Sequence, residues 1–298
     1  MSRQTGAWQG IRPTSGAAGS FTWLLLTYGA IVGICVWTLI GAGDLSLGRN
    51  PWQNLFKTIG ELSSPSFLDV WFGQTELKYR SDDGTVLRVE NRQAIELEFL
   101  AGLVRATWVT FQIATLGTLL AALLALPLGL LTARNLHAPK PLAWLASFIL
   151  NISRAIHTLI FGLILVGIVG LGPTAGILAI ALHSMGTFGK LYAESIETLD
   201  MGAIDSVRTT GASPSQVFFV AVLPAVLPQF VSSHLYIWEF NIRDSTILGL
   251  IGAGGLGLLI SEAVSLFQWD RLATILLVVV ILVTVFDAVS RRIRQSLL

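Results

Sequence analysis

Residues 107–131, TWVTFQIATLGTLLAALLALPLGLL, form one apolar run without a charged side chain. A helix needs about 20 mostly apolar residues to cross the hydrocarbon core of a membrane, so this run predicts a transmembrane helix. The 298-residue chain has a matching composition, with 53% hydrophobic residues, 12% charged residues and a mean hydropathy of +0.70. Soluble domains carry about 25% charged residues. The composition therefore excludes a disordered chain, a secreted disulfide scaffold and an ordinary cytosolic enzyme.

Apolar stretches of membrane-spanning length occur at six places, and the opening run belongs to the second of them. They are 21–43, 101–133, 142–171, 174–193, 224–250 and 271–289. The apolar region of a signal peptide is only about 7–15 residues long. The first stretch is longer, so we interpret it as a retained membrane anchor. The pattern predicts an all-α integral membrane protein with six transmembrane helices.

The distribution of charge predicts the orientation of these spans. The short loop 134–141 and the C-terminal tail carry bases and no acid, which the positive-inside rule assigns to the cytoplasm. Both termini are then cytoplasmic, including the segment 1–20. The segment 44–98, with nine of the 18 acidic residues, is then extracytoplasmic, and residues 99–298 form the membrane core. The net charge of +1 gives no general basic field, so we expect no nucleic acid partner.

The outer segment carries a hairpin signal. Residues 81–90 read SDDGTVLRVE, in which Asp83-Gly84 lies between alternating residues. A dipeptide of this kind favours a tight turn between two strands. We therefore expect a small two-stranded ribbon over Leu77–Glu90, too short to be a separate domain.

The connection between the fourth and fifth spans has strong helix signals. Residues 194–228 read ESIETLDMGAIDSVRTTGASPSQVFFVAVLPAVLP and predict two short helices with a turn at Gly211. Asp200 is suited to cap the first helix. Ser213 and Gln216 form a capping box for the second helix, with Pro214 at its first position. The apolar side of this pair is expected to contact either a partner protein, its own bundle or the membrane surface.

This connection resembles the cytoplasmic signature of permease subunits of ABC importers, E-A-A-x-x-x-G followed after nine residues by I-x-L-P. Here Asp205-Ser206-Val207, Gly211 and residues 221–224 (AVLP) stand at the matching spacing. The glycine, leucine and proline agree, whereas Ser206, Val207 and Ala221 depart from the signature. The resemblance implies a type I ABC importer permease-like bundle whose coupling loop, 198–224, docks on a separate ATPase subunit. The implied coupling residues are Asp205, Ser206, Val207, Gly211, Ala212, Ser213 and Pro224.

A closer resemblance, to the permease subunits of phosphonate importers, covers most of residues 100–295. It is carried by VTFQIATLGT (109–118), residues 154–183, TTGAS (209–213), residues 234–257 and the basic tail. That family includes importers of phosphite and hypophosphite, so the resemblance implies a phosphorus oxyanion as substrate without choosing among them. The segment 74–98 is an insertion relative to this family pattern.

The resemblance also implies an assembly and a location. Two permease subunits, expected to be copies of one chain, would pair around a central pathway in the bacterial inner membrane, in contact with its lipid. Two ATPase subunits would hold ATP and Mg and dock on the coupling loops. A periplasmic binding protein would deliver the substrate, which would cross by alternating access.

Ionisable side chains within the apolar stretches are candidates for the translocation pathway. One group is Glu239, Arg243 and Asp244, and the other is Arg154 and His157. Glu239 and Arg243 are four residues apart and suited to pair on one helix face, so a purely structural ion pair is the alternative. Arg154 is close enough to the cytoplasmic end of its span to reach the interface instead.

A glycine-rich break is the candidate for an outer gate. Residues 252–257, GAGGLG, match the dinucleotide motif G-x-G-x-x-G. That motif requires a preceding strand and a globular fold, which the membrane spans on either side do not provide. We therefore interpret Gly252, Gly254, Gly255 and Gly257 as a bend at a helix end, where the backbone approaches a neighbour closely.

No cofactor of its own is expected for this chain. It lacks a P-loop, because Gly189-Lys190-Leu191, the nearest string, has neither the upstream glycine nor the Ser/Thr. No histidines and acids have metal-site spacing, so no metal is expected, and the single Cys35 excludes an intrachain disulfide. Two alternatives remain open, namely an ion-coupled secondary transporter using Glu239 and Asp287, and a membrane-embedded transferase using Arg154, His157 and His183.

Overall fold

A computed structural model of the chain describes residues 15–42, 50–72, 76–80, 86–136 and 138–297. The chain divides into two units, 1–57 and 58–298. The first unit contains α1 (Ser15–Ala42) and most of α2 (Pro51–Leu62). Residues Phe21–Ala42 of α1 are long and apolar enough to cross a membrane, as the first stretch predicts.

The second unit is a helical bundle with a small ribbon at one end. Its elements are α3 (Asp69–Phe72), β1 (Glu76–Arg80), β2 (Val86–Asn91), α4 (Arg92–Thr132), α5 (Lys140–Ala155), α6 (Thr158–Val169), α7 (Pro173–Glu197), α8 (Met201–Thr209), α9 (Pro214–Val217), α10 (Leu223–Leu248), α11 (Leu256–Ser265) and α12 (Trp269–Leu297). Wide π-type turns, Phe218–Val222 and Gly249–Ala253, flank α10. Short 3₁₀ turns lie at Ser66–Leu68 and Arg134–Leu136. The long helix α4 begins at Arg92, seven residues before the predicted start of the core at residue 99.

Helix α7 is the centre of this bundle and packs against α4, α5, α6 and α10. Its contacts with α4 are the most extensive, and small residues make them close. A Cβ atom on Gly117 of α4 would lie 2.8 Å from the Cβ of Ile180, and one on Gly129 would lie 2.9 Å from the carbonyl oxygen of Gly189. Small residues at an interface let two helix backbones approach and increase van der Waals contact between them.

The stretch 142–171 does not form one straight span. It is divided into α5 and α6, which meet at an angle of 93°. Ile156 and His157 are extended between them, with φ/ψ of −94°/124° and −66°/146°. The break contains neither glycine nor proline, so local sequence gives no sign of it. Contacts from α7 satisfy the freed backbone instead, because His183 Nδ1 is 2.8 Å from the carbonyl oxygen of Ile156.

The expected count of six spans is not confirmed. Within the described residues, four helical segments are long and apolar enough to cross a membrane: Phe21–Ala42, Arg92–Thr132, Ser215–Ala253 and Trp269–Ser296. The bent pair α5–α6 makes a fifth if it is counted as one span. Helix α7, at the predicted fourth stretch, is long enough but too polar to be counted. Its polar residues are tolerated because protein surrounds much of the helix.

Within the second unit, the segment 66–92 packs on the helices through polar contacts. The strands β1 and β2 pair antiparallel with Glu76 opposite Asn91, where the sequence predicts a ribbon; the turn residues 81–85 lie outside the described residues. Arg92 forms an ion pair with Asp69. The hydroxyl groups of Ser66 and Thr274 are 3.1 Å apart, which joins this segment to α12.

The close contact of α4 with α7 predicts a stability difference between two glycine substitutions in one helix. Gly129→Ala places a methyl group against the Gly189 carbonyl, and overpacking of this kind costs about 1–3 kcal/mol. Gly102→Ala is the matched control, because nothing lies within 4 Å of its Cβ position. Thermal unfolding of the purified protein in detergent should show a midpoint lowered by several degrees for Gly129→Ala only. Equal midpoints would contradict the close contact.

Candidate functional site

The predicted coupling loop folds as two short helices, α8 and α9, with a turn at Gly211. The Asp200 carboxylate accepts a hydrogen bond of 2.9 Å from the amide of Gly202 and caps α8. The predicted capping box is present: the amide of Ser213 donates to Gln216 Oε1 at 2.8 Å, and the amide of Gln216 donates to Ser213 Oγ at 3.4 Å. Gly211 has φ = +82°, in the region that favours glycine, so the chain reverses without strain.

Part of the apolar side of this loop packs against itself. Ile204, Val217 and Val222 are buried together, with Val207 and Ala212 partly buried beside them. Beside this buried cluster, both helices and the turn form a hollow of about 410 Å³ on the surface of the loop. Next to it the side chains of Phe219 and Val220 are 64% and 66% exposed. The loop therefore presents an apolar surface that nothing in the described part of the chain covers.

The polar residues of α8 that the resemblance predicts for coupling lie on its exposed side. The Asp205 carboxylate accepts from Arg208 Nη1 at 3.0 Å, and Ser206 Oγ donates to the carbonyl oxygen of Gly202 at 2.8 Å. Ser213 is exposed at the start of α9, and Pro224 is exposed in the first turn of α10. The π-type turn Phe218–Val222 connects α9 directly with α10, so α10 continues from the coupling loop without an intervening linker.

The pathway candidates Arg154 and His157 lie at the break between α5 and α6. Both side chains are exposed, and His157 Nδ1 accepts from the amide of Leu159 at 3.3 Å and caps α6. The ring of His183 on α7 is 6.1 Å from that of His157. Three side chains with basic groups therefore surround a bend in the backbone. The sequence analysis groups Arg154 and His157 as pathway candidates and adds His183, from a different helix, only in the transferase alternative.

Asp244 joins α10 to the same break. It is buried, and its Oδ2 accepts from Thr158 Oγ1 at 2.7 Å, at the first residue of α6. A carboxylate in this position is stabilised by the positive end of the helix dipole. The sequence identifies Asp244 as a candidate, but its partner Thr158 is 86 residues away and has no signal of its own.

A buried series of side-chain hydrogen bonds, which sequence reasoning missed, lies next to Asp244. Asn241 Nδ2 donates to Thr118 Oγ1 at 2.8 Å, and Ser184 Oγ donates to Asn241 Oδ1 at 3.0 Å. These contacts connect α10 with α4 and α7. The only signal that could have found them is a polar residue in each of three apolar stretches.

Glu239 and Arg243 belong to a separate ion-pair group. Arg243 Nη2 is 3.0 Å from Glu239 Oε1, as the four-residue spacing predicts. Arg294 Nη2 of α12 is 3.4 Å from Glu239 Oε2, a contact that the sequence does not reveal. No contact among the described residues joins this group to Arg154 and His157. The five pathway candidates therefore divide into Arg154, His157 and Asp244 at the break, and Glu239 and Arg243 at an α10–α12 contact.

The glycine-rich break is a close-packed reversal between α10 and α11. Gly252, Gly254 and Gly255 have φ of +95°, +88° and +71°. The amide of Leu256 donates to Thr110 Oγ1 at 2.8 Å, so α4 fixes the far side of the turn. Cβ atoms on Gly255 and Gly257 would collide with Thr110 Oγ1 and with the carbonyl oxygen of Thr246. Glycine is required here for close approach, as the sequence predicts.

Comparison with known proteins agrees with this arrangement. Residues 125–298 match the family model described as the binding-protein-dependent transport system inner membrane component. A phosphite transport system permease protein of Stutzerimonas stutzeri is 41% identical over 187 residues, covering 62% of this chain and 68% of that protein. Another S. stutzeri protein, named provisionally as a phosphite transport system permease protein, is 39% identical over 203 residues, covering 68% of this chain and 72% of that protein.

The fold agrees with a solved transporter. An inward-facing structure of a methionine ABC transporter superposes with a TM-score of 0.61 at 24% identity, covering 67% of this chain and 98% of the matched chain. The fold is therefore that of a type I ABC importer permease. Permease subunits of such importers leave ATP hydrolysis to a separate ATPase subunit and receive substrate from a binding protein.

Because the matched residues span more than half of the sequence, the chain belongs to the family of binding-protein-dependent transport system inner membrane components, the multi-pass permease subunits of ABC importers.

Proposed function

We propose that the chain moves a phosphorus oxyanion, such as phosphite or a phosphonate, inward across the cytoplasmic membrane by alternating access. The observation that carries this proposal is the 41% identity to a permease named for phosphite transport. Because ABC importers are driven by ATP, the ion-coupled transporter and the transferase are set aside.

The break between α5 and α6 is the proposed contact for the anion. Non-helical backbone at membrane depth is tolerated where it is enclosed by protein or lines a water-filled cavity. Arg154 has no acidic partner among the residues described, so its charge is available for an oxyanion. His157 and His183 add hydrogen-bonding nitrogens, and the buried Asp244 binds Thr158 on the other side of the break.

The coupling loop is the proposed site at which the ATPase subunit drives the conformational change of the permease. Inverting a 99:1 preference between two states takes about 5.5 kcal/mol of differential interaction. ATP and Mg bound by the partner ATPase would supply it, and the exposed surface around Gly211, Phe219 and Val220 would dock in that subunit. Movement of α8 and α9 would pass directly into α10, which carries Asp244 to the break and Asn241 to its contacts with α4 and α7.

We infer the orientation of the remaining parts from the charge distribution, and the second copy and the binding protein from the resemblance to ABC importer permeases. Both termini and the loop 134–141 would be cytoplasmic, and the segment 44–98 would face the binding protein. A second copy of the chain would complete the pathway, surrounded by membrane lipid. The glycine turn 252–257 would then lie near the outer end of the spans, where a gate is needed.

Uptake measurements test the substrate class and the break together. Cells without phosphite and phosphonate uptake of their own would express the chain with its natural ATPase and binding protein. We expect them to accumulate phosphite or methylphosphonate. Arg154→Gln should lower the initial rate about tenfold or more, because one charge-assisted contact to the anion is lost. Arg292→Gln, an exposed base near the end of α12, is the control and should change the rate little.

Two results of this experiment would count against the proposal in different ways. Cells that accumulate methionine and no phosphorus compound would contradict the substrate class. Normal uptake by Arg154→Gln would contradict the role of the break and leave the substrate class intact.

Substitutions of Gly211 test the coupling role. Gly211→Val should abolish copurification of the ATPase subunit or transport, because a β-branched residue resists the positive φ of this turn. Gly211→Asn is the matched control, since asparagine tolerates left-handed backbone and no atom lies within 4 Å of the Cβ position. It should keep most of the ATPase binding. Normal uptake by the valine variant would rule out this turn as the coupling element.

A further inference from the structure

A polar hollow lies between the ends of α4, α5 and α7. The charge distribution assigns these helix ends to the cytoplasmic side. Its volume is about 400 Å³, within the range of small-molecule sites, about 300–1,000 Å³. Leu150 and Gly186 form part of its wall, where α5 and α7 are in close contact. Charged and polar side chains of all three helix ends form the rest.

Two opposite charges in this hollow stand next to each other without pairing. Lys190 and Glu194 lie one turn apart on α7 and both line the hollow. Such a spacing favours an ion pair, but neither side chain has an ion-pair partner within the described parts of the chain. By contrast, Glu197 is engaged, because its Oε1 accepts from the amide of Arg134 at 3.0 Å. The hollow thus offers one free ammonium group and one free carboxylate from residues one turn apart on α7.

Helix α5 places hydrogen-bonding side chains in this site and apolar aromatic side chains on the adjoining helix face. Ser147 and Asn151 line the hollow and can donate to an anion. On another face of α5, Trp144 is 68% exposed and its ring stacks on that of Phe148 at 5.5 Å. Aromatic side chains of this kind are enriched at the membrane–water interface. The polar headgroup of a lipid could therefore enter the hollow while the acyl chains of that lipid follow the apolar face of α5.

We propose that this hollow binds a zwitterion that joins a phosphorus oxyanion to an ammonium group, which is the headgroup chemistry of phosphatidylethanolamine. Lys190 and Asn151 would contact the oxyanion, and Glu194 would accept from the ammonium group. Free phosphoethanolamine in the cytoplasm has the same chemistry, so the test must separate the two sources. The site depends on the membrane location of the chain and not on the transported substrate.

Native mass spectrometry of the purified, delipidated transporter complex tests the site. Phosphatidylethanolamine, phosphatidylglycerol and phosphatidylcholine would be added back in turn. The first should bind preferentially, because phosphatidylglycerol has no ammonium group and the trimethylated one of phosphatidylcholine cannot donate a hydrogen bond. Titrating free phosphoethanolamine and phosphatidylethanolamine separately assigns the source: tighter binding of free phosphoethanolamine indicates a soluble ligand, and tighter binding of the lipid indicates a membrane lipid.

Two variants should change this preference in different ways. Lys190→Gln should weaken binding of both phosphatidylethanolamine and phosphatidylglycerol about tenfold, the effect of one lost charge-assisted contact. Glu194→Gln should weaken only phosphatidylethanolamine, and so abolish the preference between the two. Arg292→Gln removes a base near the same membrane surface, outside the hollow, and should leave binding unchanged. Equal binding of the two lipids to the unmodified complex, or unchanged binding by both hollow variants, would overturn the proposal.

Discussion

The close approach of α7 to its neighbours is the contact on which the rest of the bundle depends. Lipid is as apolar as leucine, so helices in a membrane are held together by packing and hydrogen bonds and not by the hydrophobic effect. Gly117 and Gly129 of α4 let that helix lie directly on α7. On another side, Gly186 of α7 leaves room for the backbone of α5, since a Cβ there would be 2.5 Å from the carbonyl oxygen of Leu150. Because these glycines have no side chain, α4 and α5 pack directly on α7, which is the central helix of the bundle.

This packing is what allows the backbone to break between α5 and α6. An unpaired backbone group in a membrane costs several kcal/mol, and α7 provides a partner for the freed carbonyl oxygen of Ile156. Ser153 Oγ donates to the carbonyl oxygen of Leu182 and accepts from the amide of Gly186, while His183 binds the carbonyl oxygen of Ile156. Asp244 then holds α10 against the start of α6. The bend, the basic side chains around it and the helix that leaves the coupling loop therefore form one connected unit.

Local signals in the sequence predict much of this structure, and contacts between distant segments account for what they miss. The capping box at Ser213–Gln216, the turn at Gly211 and the pair Glu239–Arg243 involve neighbours in sequence, and all three are correct. The break at Ile156 is missed because the contact that satisfies its freed carbonyl comes from His183, 27 residues away on another helix. For the same reason Thr158 and Arg294 are not identified as partners of Asp244 and Glu239. The predicted span at α7 is not confirmed by composition, because burial in protein replaces apolar composition in that helix.

The reversal after α10 has an evolutionary consequence. A Cβ on Gly249 would lie 2.5 Å from the carbonyl oxygen of Gly254, and one on Gly257 would collide with the backbone at Thr246. Gly252, Gly254 and Gly255 also have positive φ. No single base change at Gly249 or Gly257 can yield a tolerated side chain, because every side chain begins with the atom that does not fit. Substitutions that keep this fold are therefore confined to the residues around the turn, because Gly249 and Gly257 admit no side chain.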